Sequence, residues 1–396
     1  MPTYAASHPW LSFSLDLSRA SWDFWIASGE ALSKCEHLAG VPLGPEAAGE
    51  LMKVYLAKGA LATTAIEGNT LTESEVRQRI EGTLKLPPSK EYLGKEIDNI
   101  VQASNHVLDA CRGGSPCPLT IDTILDFNRQ VLTGLELEEH IQPGKLRNYS
   151  VGVADYRGAP AGDLHELLDR LCKWLAEPWL DSLQSPRARD RTRLEAILKA
   201  IIAHLYLAWI HPFGDGNGRT ARLVEFFILA NAGIPFPAAH LLSNHYNETR
   251  AVYYRQLSLA SKSGGNIMPF CIYAIRGFVD QLRTQIEFIR DQQWTLFWQN
   301  HVHQTLGDSD TARRRRYLVL DLANSPVPIP KSKLTDVSVR VLRHYLNKDE
   351  KTLSRDLQEL EKKKLIVKTD AGYRANKEIV LAYLPPTSKI DEGQPA

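Results

Sequence analysis

The feature that most constrains this fold lies between residues 189 and 233, where RDRTRLEAILKAIIAHLYLAWI runs into HPFGDGNGRT and then into ARLVEFFILANAG. The first segment is apolar on nearly every side toward its end, which predicts a buried central helix. The last, closed by Gly233 and Pro235, predicts a second, mostly apolar helix beginning near Asn217. Between them sits a glycine-rich turn that carries a histidine, an acid and an asparagine, with two arginines on the helix that follows.

Helical periodicity extends through most of the chain. Residues 45–66 place Leu51, Val54, Tyr55, Leu61 and Ala62 at three- and four-residue steps. The same pattern recurs at 73–82, 92–111, 163–176 and 120–133, where Ile121, Ile124, Leu125 and Leu132 share one face. The pattern breaks at GKLRNYSVGVADYRGAP, residues 144–160. Tyr149, Val151 and Val153 alternate there with small or polar residues, and Asp155 to Gly158 supply turn chemistry, so the segment predicts a short β-hairpin. No parallel-sheet signature is present, and the expected fold class is mainly α.

The composition shifts after LGDSDTARRRR. KTLSRDLQELEKKK (351–364) is an amphipathic helix carrying Leu353, Leu357 and Leu360, followed by the strand-like LIVKT, a turn at Asp370-Ala371-Gly372 and a second extended segment. Helix plus wing predicts a winged helix-turn-helix module. The expected division is an N-terminal helical region (1–110), a core (111–308), the winged-helix module (309–386) and a disordered tail (387–396).

At 396 residues the chain is well beyond a typical domain of about 150, and a net charge of +1 gives no global attraction to nucleic acid or acidic membranes. Five dispersed cysteines form no CxxC pair, and Cys111 and Cys117 flank GGSP in what reads as a surface loop; reduced thiols are expected. The N-terminus lacks the basic and apolar regions of a signal peptide, and no apolar stretch reaches the ~20 residues of a membrane span. A cytoplasmic protein is the expectation.

The turn has its own chemistry. A helix start offers unpaired N–H groups and a positive dipole end, and Gly216 and Gly218 let an oxygen-rich ligand approach the backbone, so phosphate is the natural guest. Arg219 and Arg222 suit phosphate oxygens, and two of them suggest more than one phosphate. A lone carboxylate beside phosphates, Asp215, is the candidate Mg²⁺ ligand. His211 is the candidate general base. Phe213 reads as an apolar anchor.

With these residues in place the segment resembles the Fic family signature, HPFx(D/E)GNGRxxR, at every fixed position, and weaker similarity extends over most of residues 45–300. The resemblance implies a Fic-type helical bundle and an adenylyltransferase that moves AMP from ATP to a Ser, Thr or Tyr hydroxyl of a target protein, and of itself. It implies that His211 deprotonates the hydroxyl and Asp215 binds Mg²⁺. Asn217 and the glycine-flanked backbone would hold the α-phosphate, and Arg219 and Arg222 the β- and γ-phosphates. TTAIEG (63–68) resembles the inhibitory pattern (S/T)xxxE(G/N), which implies that Glu67 pairs with Arg222 and restrains the enzyme, with Gly68 as the helix stop. The hairpin at 147–160 resembles the family flap, whose Val151 and Val153 region would dock an extended target segment by strand addition. LLSNHYNETRAVYYRQLSLAS (241–261) resembles the segment after the motif. Tyr254 and Leu257 are there the candidate adenine walls and Ser261 a polar contact, at a position where relatives often carry Asn.

Between Lys331 and Lys368 there are 11 Lys/Arg against 6 Asp/Glu, and Arg313–Arg316 precede them. DNA binding by the helix 351–364 is one reading, diluted by Asp356, Glu359 and Glu361; dimerisation or target recruitment stands ahead of it. Rival functions are a DNA-binding regulator with a nucleotide-sensing core, against which an intact His211 argues, and an enzyme that removes AMP with Glu67 orienting water. A homodimer is also expected from the resemblance.

Overall fold

The computed structural model describes residues 3–41, 45–112, 117–153, 156–180 and 188–381. They fall into two compact units, Met1–Ile286 and Glu287–Ala396. The first shows no division near residue 110. The second begins earlier than the compositional shift near 308, because the helix Met268–Thr305 is continuous and Trp298, Val302 and Leu306 belong to the second unit's core.

In the first unit the expected helices form where the apolar period places them: Pro45–Ala65, Glu73–Ile80, Glu91–Arg112, Ile121–Leu132, Leu164–Ala176, Ala188–Ile210 and Asn217–Asn231. Side-chain caps fix several starts. The Thr72 hydroxyl accepts from the Glu75 amide while Glu75 reaches back to the Thr72 N–H, and Thr120 accepts from the Thr123 amide. The Ala188–Ile210 helix is the centre, with Ile197, Leu198, Ile201, Ile202, Leu205, Tyr206 and Ile210 all buried. It packs along Asn217–Asn231, and the helices Ile121–Leu132 and Glu91–Arg112 close over the latter. Burial on all sides explains the missing polar stripe: Asn217–Asn231 and the C-terminal half of Ala188–Ile210 have no solvent face to paint.

The hairpin is shorter than its alternation suggests. Gly152–Val153 pairs antiparallel with Tyr156–Arg157, Gly152 opposite Arg157 and Val153 opposite Tyr156. The turn residues 154–155 lie outside the described residues, as do the GGSP loop (113–116) and the tail 387–396. All five cysteines are free thiols.

The second unit follows the helix end at Thr305 with helices Asp310–Leu322, Val339–Tyr345 and Glu350–Lys362, capped by Ser309, Ser338 and Asp349. An antiparallel hairpin, Ile366–Thr369 with Gly372–Ala375, comes next, and Tyr373 also bridges to Ile329. Asp356 corrects the sequence reading. It does not dilute an outer basic face but is buried, accepting from Arg314, Arg315 and the Tyr345 hydroxyl. Arg313 and Arg316 pair with Asp310 and Asp308, so every arginine of the RRRR run has a carboxylate partner. Among the described residues no helix is long and apolar enough to cross a membrane.

Candidate active site

Residues 211–216 carry the chain from the end of one buried helix to the start of the next. His211 takes the place where helices usually put glycine. Its amide still donates to the Leu207 carbonyl at 2.9 Å, but its φ is +50°, a left-handed value that costs a β-substituted residue on the order of 1 kcal/mol. Phe213 is buried, as expected of an anchor. The Asn217 side chain staples the turn: its Oδ1 accepts from the Phe213 amide and its Nδ2 donates to the Phe213 carbonyl, both at 2.9 Å. The carboxamide is therefore committed to the turn, and Asn217 offers a ligand its backbone N–H instead. Gly216, at φ +75°, is the left-handed residue that opens the new helix, whose first N–H groups lack intrahelical acceptors.

The turn floors a cavity of about 750 Å³. His211, Asp215, Gly216, Asn217, Gly218 and Arg222 line it from the turn, and Tyr254, Leu257 and Ser261 line it from the helix Arg250–Lys262. Glu67 closes one side and Tyr156 of the hairpin another. Every candidate whose side chain is described, except Arg219 and Val151, is thus on one wall or another. Arg219 is elsewhere, donating to Glu96 at 2.7 Å and to Asp215 Oδ1 at 3.1 Å. Val151 precedes the first strand, its carbonyl accepting from Gly158, and for Val153 the backbone alone is described.

Burial drives the His211 imidazole down to about 4, aided by the charge of Arg147 and opposed by a hydrogen bond to the Ala208 backbone and by Glu67 and Asp215. The ring is neutral at pH 7, the form a proton acceptor requires. Asp215 Oδ1 takes the Gly216 amide (2.5 Å) as well as Arg219, leaving Oδ2 without these contacts on a side chain 42% exposed. Among the described residues no group of three or more His, Cys, Asp or Glu could hold a metal by itself. One half-free carboxylate beside an anion cradle nonetheless fits Mg²⁺, which keeps most of its shell as water and phosphate.

Glu67 Oε1 meets Arg222 Nη2 at 2.5 Å, and the same nitrogen donates to the Thr63 carbonyl at 2.8 Å. Arg222 is 1% exposed and Glu67 34%. Burial pushes the Glu67 carboxyl up, but the charge and hydrogen bond of Arg222, with Arg219 and His211 adding, outweigh it and leave Glu67 below the usual carboxylate value. The contact needs Gly218, because a Cβ there would run into Glu67 Oε1. Arg250 and Tyr254 clasp the helix end that carries Glu67, donating to the Ala65 and Ile66 carbonyls. Gly68 follows at φ +104°.

Several organising residues carry no sequence pattern. Asn128 Nδ2 donates to the Asp215 carbonyl and to Thr220, while its Oδ1 accepts from Gly144. Asn69 donates to Glu96, which in turn holds Arg219 and through it Asp215. Arg147 reaches the His211 carbonyl. Each is a single polar residue in a helix or loop, identifiable only once its partners are in place.

Comparison with known proteins gives this geometry a context. Residues 118–229 match the Fic/DOC family. The chain is 29% identical over 243 residues to the protein adenylyltransferase Fic of Nematostella vectensis, covering 61% of this chain and 52% of that one. It is 32% identical over 215 residues to protein adenylyltransferase fic-1 of Caenorhabditis briggsae, covering 54% and 38%. The chain thus spans about half or less of the length of these curated relatives. Among solved structures, a Fic family protein from Desulfovibrio desulfuricans superposes with a TM-score of 0.54 at 18% identity over 95% of this chain and 98% of that one. Fic-1 of C. elegans superposes at 0.52 with 23% identity over 68% and 73%. At these identities the two superpositions speak to the fold alone.

Proposed function

We propose, from the match of residues 118–229 to the Fic/DOC family, that this chain is a protein adenylyltransferase, moving AMP from ATP to a hydroxyl side chain of a target protein. The observation that carries the reading is convergence. One cavity is lined by a neutral imidazole, a helix-start anion cradle, a half-free carboxylate and a buried guanidinium.

The phosphates of ATP would lie on the backbone N–H groups of Asn217 and Gly218, the Gly216 amide being held by Asp215, with the adenine toward Tyr254, Leu257 and Ser261. His211 accepts the proton of the target hydroxyl. That oxygen forms a bond to the α-phosphorus as the bond to the bridging oxygen breaks, and pyrophosphate leaves. Mg²⁺ would be held by Asp215 and, when bound, would neutralise phosphate charge. Arg222 would meet the terminal phosphate once Glu67 releases it, so the Glu67 contact is a brake. In its present pairing Arg219 orients Asp215; a phosphate contact would require it to give up Glu96 or Asp215. The edge of the hairpin would add a target strand beside His211, with Tyr156 anchored through its hydroxyl to the Trp209 carbonyl at 2.8 Å.

The test is incubation with ATP labelled at the α-phosphate, alone and with cell lysate, followed by mass spectrometry for AMP on Ser, Thr or Tyr. Absence of any adduct, even when Glu67 is replaced, would refute the reading.

For the Glu287–Ala396 unit we propose a winged-helix module that engages another polypeptide. Its arginine run is ion-paired, whereas Val339, Leu342 and Leu346 stand 67%, 41% and 70% exposed along one short helix and its end. A salt-sensitive mobility shift with random duplex DNA would overturn this in favour of nucleic acid.

A further inference from the structure

We propose that Arg147 is a positioning residue that holds the base and the target-docking hairpin on one guanidinium, so that both are placed by the same side chain. The inference rests on the adenylyl-transfer reading.

His211 has to leave its helix with a left-handed backbone while carrying an imidazole, so glycine, the usual residue there, is not available. Something outside the helix must hold it, and Arg147 does. Its Nε donates to the His211 carbonyl at 2.7 Å, its Nη2 reaches the Ile210 carbonyl at 3.4 Å, and its own amide donates to the Pro212 carbonyl at 3.1 Å. Three successive carbonyls of the strained turn therefore face one residue.

The same guanidinium grips the hairpin from behind. Nη1 donates to the Tyr149 carbonyl at 2.6 Å and Nη2 to the Ala159 carbonyl at 2.5 Å, on the two chains that enter and leave the strands. The Ala159 amide completes the tie by donating to Ile210 at 3.1 Å. At Gly158 a Cβ would lie 2.9 Å from His211 Cβ and 3.0 Å from Arg147 Nη2, so hairpin, guanidinium and base are in contact with no slack.

Arg147 is 4% exposed, and among the described residues its side-chain partners are all backbone carbonyls, with no carboxylate within ion-pair distance. A buried charge without a counter-ion is a poor way to stabilise a loop. It is a good way to fix several separated carbonyls, because the planar fork presents donors in set directions that a lysine ammonium cannot match. The charge also adds to burial in lowering the imidazole's proton affinity, a smaller effect that Glu67 and Asp215 oppose.

The consequence is that a hydroxyl presented on an added strand meets an imidazole whose distance from that strand is fixed. Misplacement by about 1 Å can cost ~10²-fold in rate. The experiment compares wild type, Arg147→Lys and Arg147→Gln in three readouts: self-modification with α-labelled ATP, binding of a non-hydrolysable ATP analogue, and titration of the His211 imidazole by NMR in the ligand-free protein. Both variants are expected to lose about 10²-fold in transfer with analogue affinity within about twofold of wild type. In Arg147→Gln the His211 midpoint is expected to rise. Gly158→Ala, which removes no charge, serves where an Arg147 variant does not fold, and the same split between rate and affinity is expected. Wild-type transfer in the folded variants, or equal losses of affinity and rate, would overturn the proposal. An unmoved His211 titration in Arg147→Gln would do the same. If wild type attaches no AMP at all, the adenylyl-transfer reading fails, and the NMR titration still judges Arg147.

Discussion

Replacing Glu67 with glycine removes the carboxylate that occupies Arg222 and leaves the guanidinium with the Thr63 carbonyl as its remaining partner. The size of the effect follows from the contact. One charge-assisted hydrogen bond at 2.5 Å, on an arginine 1% exposed, is worth about 1.5–3 kcal/mol. In the resting protein that amount opposes any phosphate competing for Arg222. Its removal should raise AMP transfer by roughly 10- to 100-fold, at about 1.4 kcal/mol per factor of ten. Stability should move the other way, since a buried guanidinium stripped of its carboxylate is costly. The third of Glu67 that remains exposed moderates the loss. The Glu67→Gly protein is therefore expected to melt below wild type without nucleotide and to be raised more by MgATP than wild type is. Label incorporation and a thermal-shift series with and without MgATP measure both. A folded variant with wild-type transfer and a wild-type nucleotide shift would refute the idea that Glu67 and the terminal phosphate compete for Arg222.

His211→Ala should lower transfer by about 10²–10⁴-fold while analogue binding stays near wild type, measured by calorimetry. The pH profile of kcat/KM in a Glu67→Gly background should show its acid limb at or below about 4 rather than near 6.5, because burial holds the imidazole neutral down to about 4 and loss of the Glu67 carboxylate lowers it further. The same shift has a stability sign: below 6.5 the unfolded chain takes up the His211 proton first, so this residue's contribution falls as the pH drops toward 4. Chelation by EDTA should abolish transfer, and Mg²⁺ should restore it in wild type but much less in Asp215→Asn, as titration of activity against the metal would show.

The sequence made the centre of this fold readable because burial and ligand chemistry leave different traces. Helix Ala188–Ile210 could be placed from its lack of a polar side, and the turn from residue types that no packed core requires. Tyr254, Leu257 and Ser261 reached the cavity as a helical face should, three and four residues apart. Pairing was not readable. Nothing in the sequence announces that Arg219 pairs with Glu96, 123 positions away. Asp356 counts as an exposed acid until Arg314, Arg315 and Tyr345 surround it. Nor does the sequence announce that both ends of the Asn217 amide meet Phe213. A polar residue shows its type in sequence but not its partner, and in this site the partner decides the role. The hairpin forms where it was expected but is shorter, since its alternation begins at Tyr149, where the backbone is spoken for by Arg147 before any strand pairing starts.

The proposed restraint on Arg222 requires no large rearrangement. Its helix is buried and its neighbour Arg219 is committed to two carboxylates, so neither guanidinium is free to swing toward a newcomer. Glu67 is different. It sits just beyond the end of its helix, followed by Gly68 at φ +104°, while Arg250 and Tyr254 hold the carbonyls of the preceding residues in place. Rotation of the Glu67 side chain alone would vacate Arg222, and the helix it extends from need not move. Glu67 Oε1 lies against Gly218, beside the start of the helix where the proposed reading puts the phosphates. On the proposed reading carboxylate and phosphate would exclude each other by volume as well as by charge, and a competition decided by one side chain would be tuned by anything that shifts residues 63–68 slightly.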